Sequence, residues 1–135
     1  MIEINGIAHL GIRIANFDRS IGFYRSLGFE LTRDDPAEGV VVLSHPSGVV
    51  LNLLDSATSD NGNRNILMDE EQLYPGLTHI ALQVADIVTA QREITALGLV
   101  ITEGPVRFGD GSVSIFFRDP DRNVIELTQP QDNTI

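Results

Sequence analysis

The sequence predicts an α+β fold made of two tandem βαβββ modules. Three observations carry that prediction. The stretch IAHLGIRIANFDRSIGFYRSLGFEL, from Ile7 to Leu31, aligns without a gap on LTHIALQVADIVTAQREITALGLVI, from Leu77 to Ile101, and His9 falls on His79. Each copy reads as a strand, a capped amphipathic helix and then more strands. The last strand also repeats, because PSGVVLNLL (46–54) lies over PDRNVIELT (120–128).

The elements follow in order. Residues 7–14 have strand composition, rich in Ile and Leu. Asn16 is placed to cap a helix in which Phe17, Ile21, Tyr24 and Leu27 recur at helical spacing, and Gly28 is placed to end it. FELTRD, GVVVLS and GVVLNLL then read as strands, separated by the turn residues PAEG and HPSG. The second copy repeats the plan. Residues 77–84 read as a strand, Asp86 takes the cap position, Ile87, Ile94 and Leu97 share a helical face, and Gly98 matches Gly28. LVIT, VSIFFR and NVIELTQ complete it, separated by EGPVRFGDG and DPDR. The offset between copies grows from 70 to 74, so the extra residues are assigned to the loop around 103–112.

These boundaries give modules 5–54 and 77–128, joined by a linker over 55–76, within a single domain spanning 1–135. One such half buries too little surface to stand alone, so it must pack on the other half or on a second chain. The linker is polar, rich in Asn and Asp, and long for a connection, which suggests a function or mobility.

Composition narrows the function classes. The chain is 42% hydrophobic and 21% charged, as expected of a globular domain. It has no cysteine, which removes disulfides, thiolate metal sites and a cysteine nucleophile. The net charge of −10 argues against nucleic acid and anionic membrane as partners. No apolar run approaches the ~20 residues of a membrane span, and no signal-peptide pattern opens the chain. The expected location is cytoplasmic.

The repeat also arranges chemistry. Strand side chains alternate faces, so His9 shares a face with Ile7, Gly11 and Arg13, while Ala8, Leu10, Ile12 and Ile14 face the helices. His79 likewise sides with Leu77, Ala81 and Gln83. In the last strand Glu126 sides with Val124 and Thr128, and its counterpart in the first module is Asn52. An ionised carboxylate between aliphatic residues is costly unless it is paired or bound to metal. A lone histidine would read as a satisfied pocket residue. Two at equivalent repeat positions, with a strand-embedded glutamate, point to a divalent metal. Two imidazoles and a carboxylate suit Fe, Mn, Zn, Ni or Co, and Asn52 offers a weak fourth ligand or a substrate hydrogen bond.

On these motifs, and on FFRDPDRNVIEL, the chain resembles the vicinal oxygen chelate superfamily over nearly its whole length. That superfamily includes glyoxalase I, bleomycin-resistance proteins, fosfomycin-resistance transferases, methylmalonyl-CoA epimerase and extradiol dioxygenases. The resemblance implies paired modules forming a cup-like sheet around a metal held by His9, His79 and Glu126. It also implies a homodimer whose ligands come either from one chain or from two; in the shared case His9 meets His79 and Glu126 of a second chain.

The departures are informative. Glyoxalase I carries a carboxylate where Asn52 stands, though Arg13 matches an arginine it uses on a substrate carboxylate, and Ser56 replaces its asparagine. The epimerase has a catalytic glutamate where Val42 stands. Phe116 and Arg64 fall near the places of the extradiol enzymes' outer histidine and tyrosine. The transferases' potassium loop is not found. The set of two histidines and one carboxylate leaves positions for substrate and O₂. Oxygenase-type chemistry therefore ranks slightly ahead of glyoxalase-type isomerase or lyase chemistry, acting on vicinal oxygens of a small molecule, with no catalytic residue assigned. The alternative is a drug-binding protein of the bleomycin-resistance kind. Arg13, Gln83, Arg107 and Phe108 are the candidate substrate contacts. Asp119 and Asp121 are read as turn residues, Tyr24 as core and His45 as exposed.

Overall fold

A computed structural model describes residues 1–131. Residues 132–135, which the single-domain expectation includes, lie outside the described residues. The chain divides into two compact units, the first Met1–Gly62 and the second beginning at Asn63.

The first unit runs β1 (Leu10–Arg13), α1 (Phe17–Ser26), β2 (Glu30–Asp35), β3 (Val40–Ser44) and β4 (Val50–Leu54). Its sheet order is β1-β4-β3-β2, with β1 parallel to β4 and the other pairs antiparallel. The second unit repeats this with β5 (His79–Gln83), α2 (Ile87–Ala96), β6 (Glu103–Arg107), β7 (Val113–Arg118) and β8 (Val124–Gln129), in the order β5-β8-β7-β6. Each unit is therefore βαβββ, and the helix supplies the crossover that a parallel pair requires.

Both helices begin and end as their residues dictate. Asn16 Oδ1 accepts from the backbone N–H of Arg19 at 2.9 Å, and Asp86 Oδ1 accepts from that of Val88 at 3.0 Å. The Thr89 hydroxyl and the amides of Val88 and Thr89 hold the Asp86 carboxyl below its ordinary range. Gly28 and Gly98 follow the helices at φ +99° and +79°, a conformation that costs glycine nothing.

Each sheet has one apolar face against its helix. In the first unit Ile12, Ile14, Tyr24, Phe29, Val41, Leu43, Leu51 and Leu53 are buried. In the second, Ile87, Ala90, Ile94, Ile115, Phe117, Ile125 and Leu127 are buried. In β3, β4, β7 and β8 every second residue belongs to this core, which leaves the alternate residues on the opposite face.

Four expectations need correction. The first strand does not reach back to Ile7. β4 begins at Val50, and the register Leu10↔Leu51 leaves Ile7 and Ala8 with no strand opposite them. His9 lies just before β1, exposed, level with Val50 at the start of β4. The strand placed at LVIT lies instead at Glu103–Arg107, inside the supposed loop. Gly104 and Pro105 read as breakers, but β6 is an edge strand with a register shift between Glu103 and Val106, where both are tolerated. Leu97 caps α2 and is exposed rather than part of its packed face. His45 is half-buried rather than exposed, with its ring tilted on Phe29 at 5.1 Å and Nδ1 within 2.7 Å of the Ser47 hydroxyl.

The second half of the expected linker belongs to the second unit. Arg118 donates to both carboxylate oxygens of Asp69, at 3.0 and 3.1 Å, and Asn65 Nδ2 donates to the Arg122 carbonyl at 3.2 Å. Arg64 pairs with Glu70 at 3.6 Å and donates to the Asp69 carbonyl.

The Arg118 guanidinium holds the Asp69 carboxyl below its ordinary range. A carboxyl lowered by folding adds stability above its unfolded pKa of about 3.9 and loses it as pH falls through the lower folded value. Asp69→Asn is thus expected to cost about 1 kcal/mol at neutral pH, and the deficit should shrink below about pH 4. Denaturant midpoints across pH measure this, and a deficit constant with pH would refute the assignment.

Candidate functional site

The face of the second unit's sheet that turns away from α2 is laid out in rows by strand register. His79, Val124 and Arg118 form one row across β5, β8 and β7. Ala81, Glu126 and Phe116 form the next, and Gln83, Thr128 and Ser114 the third. His79 and Glu126 are diagonal neighbours on this face. Ala81, directly beside Glu126, carries only a methyl group, so the imidazole can lean across to the carboxylate. His79 Nε2 lies 3.1 Å from Glu126 Oε1.

Both ends of this pair are held. Ser114, fully buried, donates its hydroxyl to Glu126 Oε2 at 2.7 Å. The Thr78 hydroxyl lies 2.9 Å from His79 Nδ1. A hydroxyl both donates and accepts, so Thr78 serves either tautomer of the ring. The Phe116 and His79 rings meet in a T-shaped arrangement, with centroids 6.4 Å apart. Glu126 is only 12% exposed at its side chain, against 41% for His79, so the carboxylate forms the floor and the imidazole the open side. A carboxylate so enclosed needs polar partners: Ser114 donates to it, and His79 Nε2 stands beside its other oxygen.

In the first unit the equivalent face carries Gly11, Asn52 and Val42 in one row, and Arg13, Leu54 and Val40 in the next. Asn52 is half-buried. Arg13 Nε donates to the Ser56 hydroxyl at 3.0 Å. Among the described residues, no three of His, Cys, Asp and Glu are grouped as a metal site within one chain.

The other candidates stand at the margins. Gln83 ends β5, exposed, opposite Thr128. Arg107 ends β6 and donates to the Gly111 carbonyl at 3.3 Å. Phe108 lies exposed in the β6–β7 hairpin, where its N–H donates to Ser112 O. Asp119 is buried, and it accepts from the amides of Asp121 and Asn123 and from the Asn123 side chain. Ser114 and Thr78 belong to the site although no sequence pattern singles them out. Ser114 leaves one signal, a hydroxyl between Val113 and Ile115 where the first unit has Val40.

Two βαβββ units, each a four-stranded sheet with its helix on one face, define the class of fold. The chain belongs to the Glyoxalase/Bleomycin resistance protein/Dioxygenase superfamily, whose family model matches residues 6–127. It is 29% identical to the glyoxalase domain-containing protein RDO1 of Mycosarcoma maydis, over 97% of this chain and 72% of that protein. Among solved structures it is similar to the virulence protein STM3117 of Salmonella typhimurium, with TM-score 0.70 and 26% identity over 96% of this chain and 100% of that one. It also shares its fold with a lactoylglutathione lyase of Agrobacterium tumefaciens, with TM-score 0.69 and 22% identity over 93% of this chain and 94% of that one. No helix among the described residues is long and apolar enough to cross a membrane.

Proposed function

We propose that this protein is a divalent-metal-dependent enzyme of its family, with His9, His79 and Glu126 as the metal ligands. The observation that carries this reading is the His79–Glu126 pair, 3.1 Å apart and braced at its far oxygen by Ser114. An imidazole nitrogen and a carboxylate oxygen set side by side on one sheet face are donors that a first-row ion accepts, and a second imidazole completes the common three-ligand set. Fe, Mn, Zn, Ni and Co all suit it. When bound, such an ion would take two adjacent oxygens of a small substrate and stabilise negative charge on them.

The chain's own residues do the rest. Glu126 and His79 hold their donor atoms toward the open face. Phe116 walls the site beside the imidazole. Asn52 serves as a weak further ligand or as a hydrogen-bonding group toward substrate. Arg13, Gln83, Arg107 and Phe108 are the proposed substrate contacts, and Arg13 suits an anionic group. Oxygenase-type chemistry stays slightly ahead of isomerase or lyase chemistry, because Asn52 cannot take a proton at neutral pH as a carboxylate would.

The third ligand comes, on this reading, from a second copy of the chain. Ile7 and Leu77, each two residues before its histidine, are 82% and 95% exposed, and Ile2 and Ile4 are similarly bare. β1 and β5 are both sheet edges. Bare apolar residues beside unpaired edges favour an interface. The proposal is accordingly of a homodimer, with a small-molecule substrate and a cytoplasmic location.

Metal content tests the proposal. Protein purified without chelator is expected to carry about one first-row ion per chain, and His79→Ala to carry none. Wild-type protein without stoichiometric metal would overturn the enzyme reading. It would favour the drug-binding alternative, in which His79 and Glu126 satisfy each other.

A further inference from the structure

We infer that Ser114 is a positioning residue that makes Glu126 a one-oxygen ligand. The inference rests on the metal reading of the site. Glu126 has two oxygens with different surroundings. Oε1 faces His79 Nε2 at 3.1 Å, and Oε2 accepts the Ser114 hydroxyl at 2.7 Å. Ser114 is wholly buried, so water does not compete for its hydroxyl. Its strand leaves it little freedom: β7 is paired on both sides, and Gly104 of β6 packs so close that a methyl there would stand 2.5 Å from the Ser114 carbonyl oxygen.

The consequence is geometric. A carboxylate free to rotate offers a metal both oxygens in turn or together. Here one oxygen is engaged by a fixed donor, and the torsion of the carboxylate is set with Oε1 toward the imidazole. Glu126 then contributes one bond and leaves one more coordination position for substrate. Outer hydrogen bonds of this kind orient ligands, and their loss weakens metal binding roughly 10- to 100-fold. The first unit has Val40 at the place of Ser114 and Asn52 at that of Glu126. The hydroxyl thus accompanies the carboxylate and is absent where the carboxylate is absent.

The test is a titration of the metal-free full-length protein with Co²⁺, followed by visible absorption. Affinity reports positioning, and band intensity reports coordination number, because a second carboxylate oxygen raises the number and weakens the bands. Ser114→Ala is expected to bind about 10-fold more weakly, with weaker bands, in protein that circular dichroism shows to be folded. Ser114→Thr, which keeps the hydroxyl and suits a strand, is expected to restore both. If the threonine variant misfolds, Ser114→Ala decides alone. A Ser114→Ala protein with wild-type affinity and spectrum overturns this inference and leaves the metal site standing. Wild-type protein that takes up no Co²⁺ overturns both.

Discussion

His9→Ala and His79→Ala, each purified alone, are expected to hold no stoichiometric metal, yet co-expressed in equal amounts they should recover part of it. The arithmetic follows from dimer symmetry. If His9 of one chain meets His79 and Glu126 of the other, a mixed dimer contains one site with both mutations and one with neither. Random pairing makes half of the dimers mixed, so about a quarter of the wild-type sites should fill. Single-chain sites would recover nothing in any mixture. Metal analysis of the co-purified pair, with the two variants carrying different tags, reads the outcome directly. Recovery near zero would refute a shared site even if each single variant behaves as expected.

Phe117→Ala is expected to be the most damaging core substitution in the second unit. Phe117 is fully buried in β7, on the face that meets α2. Removing a buried aromatic ring costs about 3–5 kcal/mol, from lost burial and the cavity left behind. That is a large part of the 5–15 kcal/mol or so that typically separates folded from unfolded states. Phe116, next along the strand, lies half-buried on the opposite face beside Glu126. Phe116→Ala should cost far less stability and act on the site instead. Denaturant unfolding of the two variants measures the contrast, and equal losses would mean that the faces are wrongly assigned.

Much of this architecture is legible in the amino-acid sequence. The two helices can be bounded almost to the residue because Asn16, Asp86, Gly28 and Gly98 act through local backbone geometry, which short sequence patterns record. The sheet faces are legible because strand alternation is strict and the repeat supplies each strand with an internal control. Strand ends are less so. Whether Ile7 and Ala8 join β1 depends on where β4 begins, more than forty residues away. β6 escapes a sequence reading because Gly104 and Pro105 signal a break, and only an edge with a shifted register absorbs them.

The site divides in the same way. His79 and Glu126 can be set on one face from alternation alone. Their 3.1 Å approach requires the register of β5 on β8, which puts Ala81 beside Glu126. Ser114 and Thr78 stay hidden because a hydroxyl has no spacing rule and its value lies in what it touches. The attachment of Asp69 to Arg118 spans the chain from the expected linker to β7, and no local pattern announces it.

The central claim is that a divalent ion binds between His79 Nε2, Glu126 Oε1 and a His9 from a second copy. An anomalous-diffraction structure of the protein loaded with a first-row metal tests it most directly. One anomalous peak per chain is expected at the His79–Glu126 pair, with Oε2 of Glu126 still on Ser114 and the third protein ligand supplied by His9 of another chain. A peak on other residues, or metal-exposed protein in which His79 and Glu126 stay side by side with no peak between them, would contradict it.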